Sequence, residues 1–336
     1  MKFGPVPVNQ ALGTILAHSV LLPQSRLRKG LVLAAADLDS LRGAKIDVVT
    51  VATLDPEDVA EDIAATRLAL ALVPGDQGLS RTDAHTGRVN LKATGPGIVW
   101  LSAAAIHDLN RIHPSITLAT LPPFARVTAG TLVGTVKIIS YAVPVDALLA
   151  AEAFAKAAVC ILPFVHRSAG LLLTEVPGQD AKLSLKGRRA VEARLRTLGM
   201  TLAEVRVVPH EEFAMAAALT QMRGDMLLIL TGSATSDLYD TGPEALRLAG
   251  GQVARFGMPV DPGNLLFHGM LGSRAVLGLP GCARSPALNG ADWVLERLAC
   301  GLDVTDDDIA AMGVGGLLKE ISVRGQPRDV NPEASE

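Results

Sequence analysis

The chain of 336 residues is long enough for two or three domains, and its core must be built from Ala, Val, Leu and Ile because aromatic residues make up only 3% of it. A net charge of -3 without a long basic run argues against a nucleic-acid partner, and no apolar stretch is long and unbroken enough to cross a membrane. Three widely spaced cysteines and an N-terminus without a signal-peptide pattern predict a cytoplasmic protein.

Residues 1–75 are predicted to form an N-terminal α/β segment. Apolar residues recur at helical spacing over residues 7–20, which predicts a first helix. A short helix is expected at residues 37–42 and a strand at residues 45–51. Asp55 and Pro56, with acids after them, indicate the start of an alanine-rich helix that ends near residue 73.

Residues 76–150 are predicted to form a small β-rich subdomain. Short β-like runs at 97–100, 116–120 and 131–139 are separated by turn residues, and 103–110 form a helical pattern. The polar, basic residues 86–92 indicate a solvated hairpin turn. The alternative for this turn is a contact with an anionic ligand.

Residues 151–324 are predicted to form an α/β domain with a mainly parallel sheet, and residues 325–336 a disordered tail. Strands are expected at 171–174, 205–208, 226–230 and 275–279, with helices at 186–198, 211–222, 243–249 and 293–300 between and after them. Right-handed crossovers would place the loops at 174–178, 231–240 and 278–286 on one edge of the sheet. In such sheets ligands bind beyond the carboxyl ends of the strands.

The loop at 231–240 carries the sharpest chemical signal. Gly232 permits a close approach of the backbone to a ligand, and hydroxyl groups follow it. Asp237 and Asp240 stand three apart, and one or two carboxylates with substrate oxygens suit Mg²⁺. The alternative is that Asp237 is a loop carboxylate and Asp240 caps the next helix.

The loop at 278–286 is the second candidate. Gly281 would let backbone amides approach an anion, and Arg284 can hold a phosphate with two hydrogen bonds. The alternative is a tight turn after a strand with a solvated Arg284. Cys282 lies in the same loop, but no neighbour in the sequence marks it as an activated nucleophile.

The other candidates favour structural interpretations. His210 and His268 are isolated and are interpreted as caps or packed surface groups rather than metal ligands. Four cations form a basic helical face that is interpreted as solvated, with a ligand grip as the alternative: Lys182, Lys186, Arg188 and Arg189.

The order of these motifs resembles the molybdopterin-binding (MoaB/Mog) domain, and most closely its MoeA-like molybdopterin molybdotransferase branch. The resemblance rests on three stretches: Thr231-Gly232-Ser233-Ala234-Thr235 with Asp240, Pro262-Gly263-Asn264, and Gly278-Leu279-Pro280-Gly281-Cys282-Ala283-Arg284-Ser285. It departs from the family pattern at Ser233, which replaces a second glycine, and at Glu175, which stands alone where the family has an acidic pair. Cys282-Ala283-Arg284 replaces the family's asparagine and proline.

The resemblance implies a three-layer Mog-like C-terminal domain preceded by smaller mixed α/β subdomains, and it assigns roles to individual residues. Asp237 and Asp240 are the implied catalytic residues, with Asp240 as the metal ligand. The residues implied to bind molybdopterin or its nucleotide form are Thr231, Gly232, Ser233, Thr235, Ser236, Pro262, Gly263, Pro280, Gly281, Arg284 and Ser285.

The implied function is a molybdenum cofactor biosynthesis protein that binds molybdopterin and assists molybdate insertion with Mg²⁺. Two alternatives stay open, a carrier or insertion chaperone without turnover and an enzyme that processes free nucleotides. The resemblance also implies a homo-oligomer and a molybdoenzyme or a nucleotidyltransferase as a protein partner.

Overall fold

The computed structural model describes residues 1–178 and 180–318. The chain divides into two compact units, Met1–Pro163 and Phe164–Glu336. The predicted disordered tail at 325–336 lies outside the described residues, and the predicted bounds within the first unit stay predictions. None of the helices in the described residues has both the length and the apolar character that crossing a membrane requires.

The first unit contains several small antiparallel sheets and four helices. Its strands are β1 (Lys2–Pro7), β2 (Ile15–Leu16), β3 (Val20–Leu21), β4 (Arg26–Leu27), β5 (Val48–Thr53), β6 (Asp58–Ala60), β7 (Leu79–Arg81), β8 (Arg88–Ala93), β9 (Gly97–Leu101), β10 (Ile116–Thr120), β11 (Arg126–Val127), β12 (Leu132–Ile138), β13 (Ala142–Pro144) and β14 (Val159–Pro163). Its helices are α1 (Ala35–Gly43), α2 (Glu61–Leu72), α3 (Ala103–Ile112) and α4 (Val145–Ala155).

The alanine-rich helix α2 organises the larger core of this unit. Its buried face, with Leu68 and Leu72, packs with residues of β8 and β12 such as Leu91 and Ile138. A second core lies around β1, β5 and α1. Strands β7 to β13 lie within residues 76–150.

The prediction of a helix over residues 7–20 is wrong. The chain forms a single 3₁₀ turn at Val8–Gln10 and then the short strand β2. Gly13 has a φ of 75°, a left-handed conformation that ends any helix, and the Thr14 hydroxyl donates to the carbonyl of Ala11 at 2.7 Å. Val8 and Leu16 point inward from a turn and a strand, whereas Leu12 is 61% exposed.

The second unit is a three-layer α/β domain, as the sequence predicts. Its strands are β15 (Ser168–Glu175), β16 (Thr201–Pro209), β17 (Met226–Leu230), β18 (Gln252–Phe256), β19 (Phe267–Leu271) and β20 (Arg274–Gly278). Its helices are α5 (Ala181–Thr197), α6 (Glu212–Gln221), α7 (Thr241–Leu248), α8 (Gly290–Ala299) and α9 (Asp306–Ala311).

The six-stranded sheet has the order β16-β15-β17-β20-β19-β18. Strands β16, β15, β17 and β20 are parallel, whereas β19 is antiparallel to both of its neighbours. The chain moves outward from β15 to β16 and back to β17, so right-handed crossovers place α5 and α6 on opposite faces. All five residues of β17 are buried, as expected for a strand covered on both faces.

The sheet topology determines which loops share an edge. The carboxyl ends of the four parallel strands lie on one side, together with the segment 257–266 that joins β18 to β19. This edge therefore carries all three loops that the sequence predicts to lie together, at 174–178, 231–240 and 278–286. Strands β18 and β19 are absent from the prediction.

Candidate functional site

A hydrogen-bonded centre joins the ends of three parallel strands. The Gly232 N–H donates to Thr174 Oγ1 at 2.7 Å, and Thr174 Oγ1 lies 3.0 Å from His210 Nδ1. Thr174 is 1% exposed, so its single hydroxyl proton has few acceptors other than this imidazole nitrogen. The arrangement fixes the start of the 231–240 loop against β15 and β16.

Glu175 lies beside this centre. The Ser184 hydroxyl of α5 donates to Glu175 Oε1 at 2.8 Å, and the backbone N–H of His210 donates to the carbonyl oxygen of Glu175 at 3.0 Å. His210 is therefore a part of the strand-end edge. The interpretation of His210 as an isolated cap missed this position, although its place directly after β16 is visible in the sequence.

The 231–240 loop is shaped by its own polar groups. The Thr231 hydroxyl donates to the carbonyl of Ser233 at 2.6 Å, and Asp237 Oδ1 accepts from the Tyr239 N–H at 2.8 Å. Thr231 and Thr235 are buried, while Ser233, Ser236 and Asp237 are exposed. The exposed groups leave hydroxyls and a carboxylate at the surface of the edge.

Asp240 has a structural role that the sequence gave as its alternative. Its Oδ1 accepts from the Thr241 N–H at 2.7 Å and caps α7, and its Oδ2 accepts from the Ser236 N–H at 2.8 Å. Each oxygen keeps a lone pair, so Asp240 can still contribute to a Mg²⁺ site together with substrate oxygens. The described residues contain no group of three or more His, Cys, Asp or Glu side chains arranged for a metal ion.

The Arg194 side chain of α5 holds the 279–286 loop in place through hydrogen bonds. Its Nε donates to Asp292 Oδ1 at 2.6 Å, and its two terminal nitrogens donate to the carbonyls of Ala283 at 2.7 Å and Ser285 at 2.9 Å. The Arg194 and Asp292 side chains are only 10% and 13% exposed. Arg194 is a residue that the sequence analysis missed, because nothing in its helical neighbourhood distinguishes it from the other cations of α5.

Arg284 links the two candidate loops. Its Nη2 donates to the carbonyl of Thr231 at 2.7 Å, while its buried Nε has no partner among the described residues. Burial lowers the pKa of this guanidinium. The side chain passes over Gly187 of α5, and a Cβ at that position would lie 2.7 Å from Leu230 Cδ2 and 3.8 Å from Arg284 Nε. Arg284 is thus half-buried between elements rather than fully solvated.

The remaining residues of the loop differ in their exposure. Pro280 is buried, Gly281 is exposed, and Ser285 Oγ accepts from the Ala287 N–H at 3.3 Å. The buried Asn289, which caps α8, donates to Cys282 Sγ at 3.0 Å. Cys282 therefore belongs to the scaffold of this loop.

Pro262 and Gly263 lie on the same edge in the segment 257–266. The carbonyl of Pro262 accepts from the Gly290 N–H at 2.8 Å. Gly263 has a φ of 149°, and a Cβ there would lie 2.9 Å from the nitrogen of Gly290. This pair thus packs against the first turn of α8.

His268 lies within the sheet, on β19 opposite Leu277, and is only 4% exposed. Burial lowers its pKa, and its Nε2 has no partner among the described residues. Its interpretation as a cap or surface group is wrong, because strand β19 was not recognised. The ligand and metal roles implied for the other site residues stay predictions.

Comparisons with known proteins give two family matches. Residues 186–299 match the family described as "Probable molybdopterin binding domain", and residues 5–53 match a domain of unknown function (DUF8806). The first match includes most of α5 and continues through α8, so it covers the 231–240 and 279–286 loops. No curated protein matches the chain.

Two solved structures are similar to the chain at low identity. The molybdopterin biosynthesis moea protein from Pyrococcus horikosii has 15% identity and a TM-score of 0.32, over 89% of this chain and 76% of that one. A molybdenum cofactor biosynthesis protein from Pyrococcus furiosus has 14% identity and a TM-score of 0.21, over 83% of this chain and 56% of that one. The family match thus carries the assignment. Residues 186–299, about a third of the chain, are therefore similar to the molybdopterin-binding domain family.

Proposed function

We propose that the second unit binds molybdopterin, free or linked to a nucleotide, at the carboxyl edge of its sheet, and that it assists molybdate insertion there. The observation that carries this proposal is the joining of both motif loops at one edge by Arg284, whose Nη2 donates to the carbonyl of Thr231. Ligands of such sheets bind at this edge. The family match supplies the class of ligand.

In this proposal the two loops divide the recognition of the ligand. Gly232 lets the backbone approach a phosphate, the backbone from Ser233 to Thr235 offers N–H groups and hydroxyls to it, and Arg284 neutralises part of its charge. Ser285, Pro280 and Gly281 form the facing wall. Pro262 and Gly263 support that wall through the start of α8.

Asp240 and Asp237 are the proposed acids of the site. Bound Mg²⁺ would neutralise phosphate or molybdate oxygens during insertion. Asp240 would be its main protein ligand, with Asp237 beside it. Molybdate is a substrate in this proposal. The proposed protein partner is a molybdoenzyme or a nucleotidyltransferase.

A carrier or insertion chaperone is the second candidate. It is favoured by the carboxylate of Asp240, because both of its oxygens already accept backbone N–H groups and hold the loop. A carboxylate used in this way stabilises a binding loop without any turnover. Tight binding of the cofactor without chemistry would follow.

Titration of the full chain with molybdopterin, free and nucleotide-linked, separates these functions. We expect binding of both forms and release of the nucleotide when Mg²⁺ and molybdate are added. Asp240→Asn keeps an acceptor for the cap of α7 but removes the charge, so it should abolish release and leave binding. Asp307→Asn, an exposed acid in the first turn of α9, is the matched control.

The outcomes distinguish the candidates. Binding without release in the wild type would establish the carrier and exclude the transferase. Release that survives in Asp240→Asn would exclude Asp240 as the metal ligand. Absence of binding would contradict both candidates.

A further inference from the structure

A small polar cleft lies in the first unit, between helix α2 and the chain that leads from β7 into β8. It has a volume of about 250 Å³, and all of its lining comes from residues 66–89. Two alanines line it together with six larger residues: Thr66, Leu70, Arg81, Thr82, Asp83 and Val89. The cleft is therefore distinct from the molybdopterin site proposed for the second unit.

The two walls of the cleft are tied to each other at both ends. Near the start of α2, Asp62 Oδ1 accepts from the Gly87 N–H at 2.5 Å, and beyond the end of α2 the Arg81 side chain donates to the carbonyl of Val73. Between these anchors, in the part of the chain that the structure describes, no hydrogen bond joins residues 66–70 to residues 82–84. The cleft is thus already open, which lowers the cost of ordering its walls around a ligand.

Arg81 and Thr82 supply hydrogen-bond donors to the cleft. Arg81 uses one N–H for the Val73 carbonyl, so the rest of its guanidinium can still donate. Thr82 Oγ1 accepts from the Asn90 N–H at 3.0 Å, and its own hydroxyl proton has no acceptor among the described residues. A cation with a neighbouring hydroxyl donor suits a carboxylate.

Asp83 and Thr66 supply acceptors. The Thr66 hydroxyl donates to the carbonyl of Asp62 at 2.8 Å, so its oxygen can still accept a hydrogen bond inside the cleft. Asp83 is exposed and forms no side-chain hydrogen bond or ion pair within the described ranges, not even with Arg81 in the same cleft. Two opposite charges that share a cleft without pairing can each bind one end of a ligand that carries both charges.

The apolar lining limits the rest of the ligand. Val89 is buried and Leu70 is exposed, so an aliphatic group has a contact inside the cleft and another at its surface. The volume of the cleft lies below the range that drug-sized ligands occupy. A ligand of this cleft is therefore small and has one short aliphatic part.

We propose that this cleft binds a small aliphatic α-amino acid, of the class of valine, in its zwitterionic form. The carboxylate of the ligand would contact Arg81 and the Thr82 hydroxyl. Its ammonium group would contact Asp83 and Thr66 Oγ1, and its side chain would lie on Leu70. This inference goes beyond the proposed function, because it gives the first unit a ligand of its own.

NMR titration of the full chain with three matched ligands tests the cleft. L-Valine carries both charged groups, isobutylamine lacks the carboxylate, and isovalerate lacks the ammonium group. The wild type should bind valine at least about fivefold more tightly than either analogue, since each analogue loses one exposed charged contact. Equal affinities for the three ligands, or no binding of valine, would overturn the proposal.

Asp83→Asn separates the two ends of the ligand. It should weaken the binding of valine about fivefold and leave that of isovalerate unchanged, because isovalerate has no ammonium group for Asp83. The matched control is Asp47→Asn, which removes the same charge from an exposed position of the first unit outside the cleft. An equal loss for both ligands, or an equal loss in the control, would contradict the role of Asp83.

Arg81→Gln tests the other end, with Arg88→Gln as its control at an exposed position of β8 outside the cleft. It should weaken valine and isovalerate but spare isobutylamine. Loss of all three ligands would show that Arg81 only anchors the wall through Val73 and would overturn its ligand contact. A parallel titration with molybdopterin keeps the hypotheses apart, because a chain that binds molybdopterin but no valine refutes the cleft alone, and the reverse refutes the proposed function alone.

Discussion

The two loops at the carboxyl edge of the second unit are held in different ways. The 231–240 loop is shaped largely from within, by Asp237 and Asp240 bonding to backbone N–H groups of the same loop and of α7. The 279–286 loop is held from outside, by Arg194 of α5 and Asn289 of α8. A loop held by its own residues can therefore be predicted from a local sequence motif, whereas a loop held by distant residues cannot. The same difference predicts which substitutions destabilise each loop.

Arg194→Leu should have the largest effect on stability. It removes the only side-chain partner of the Ala283 carbonyl among the described residues and leaves Asp292 as a nearly buried charge without its cation. Breaking a buried pair in this way costs about 3–5 kcal/mol of unfolding free energy. Urea denaturation monitored by circular dichroism gives the value.

Arg196→Leu is the control for this prediction. Its exposed contact with Glu192 is 3.9 Å long, so its loss should cost under about 0.5 kcal/mol. Equal losses in the two variants would show that the 279–286 loop does not depend on Arg194. The contrast between the loops would then be wrong.

Gly187→Ala tests the packing of α5 against the end of β17, beside Arg284. The added Cβ would lie 2.7 Å from Leu230 Cδ2, so the Leu230 side chain must shift, whereas Arg284 lies at an ordinary contact distance of 3.7 Å. Overpacking of this kind costs about 1–3 kcal/mol. Gly43→Ala is the control because nothing lies within 4 Å of its Cβ position, and its stability should be unchanged or higher. An unchanged free energy of unfolding in Gly187→Ala would show that the Leu230 side chain moves aside at little cost.

Asp240→Ala should weaken the first loop but not the second. It removes the cap of α7 and the acceptor for the Ser236 N–H, a loss of about 0.5–2 kcal/mol. Asp240→Asn should cost less than this, since asparagine can still cap α7, but its amide nitrogen cannot accept from the Ser236 N–H. Hydrogen exchange measured by mass spectrometry should show faster exchange in 234–241 and unchanged exchange in 281–287. Equal increases in both segments would contradict the independence of the loops.

Much of the second unit could be predicted from the sequence, because its strands and helices have strong local patterns. Residues 226–230 are apolar throughout, and α5 is amphipathic over four turns and more. Strands β18 and β19 could not be predicted, because they are short and their apolar alternation is incomplete. The contact of Arg194 with Asp292 spans 98 positions of the chain, so no local pattern marks it. The contact of Thr174 with His210 was missed because it forms only when β15 and β16 pair, although the place of His210 after β16 is visible in the sequence.

The smallest expected effect concerns a residue that lies behind both loops. His268 follows Phe267, whose ring would lie 3.1 Å from a Cβ at Gly242 and 2.0 Å from one at Gly278. Burial lowers the pKa of His268 below its ordinary 6.5, with Arg255 acting in the same direction and Asp306 against it. Below pH 6.5 the unfolded chain therefore binds a proton at His268 that the folded chain does not bind. The free energy of unfolding consequently falls as the pH falls through that value.

The decrease in the free energy of unfolding between pH 7.5 and pH 5.5 should be smaller in His268→Gln than in the wild type. Urea denaturation at both pH values measures it. The Phe267 ring packs against Gly242 in the first turn of α7 and against Gly278 at the end of β20. Amide protection factors, which correct for the slower intrinsic exchange at low pH, should therefore fall together in 234–241 and 281–287 of the wild type at pH 5.5. A fall confined to one segment would show that the two loops do not share this support. The difference between them would then extend beyond their own hydrogen bonds into the sheet beneath.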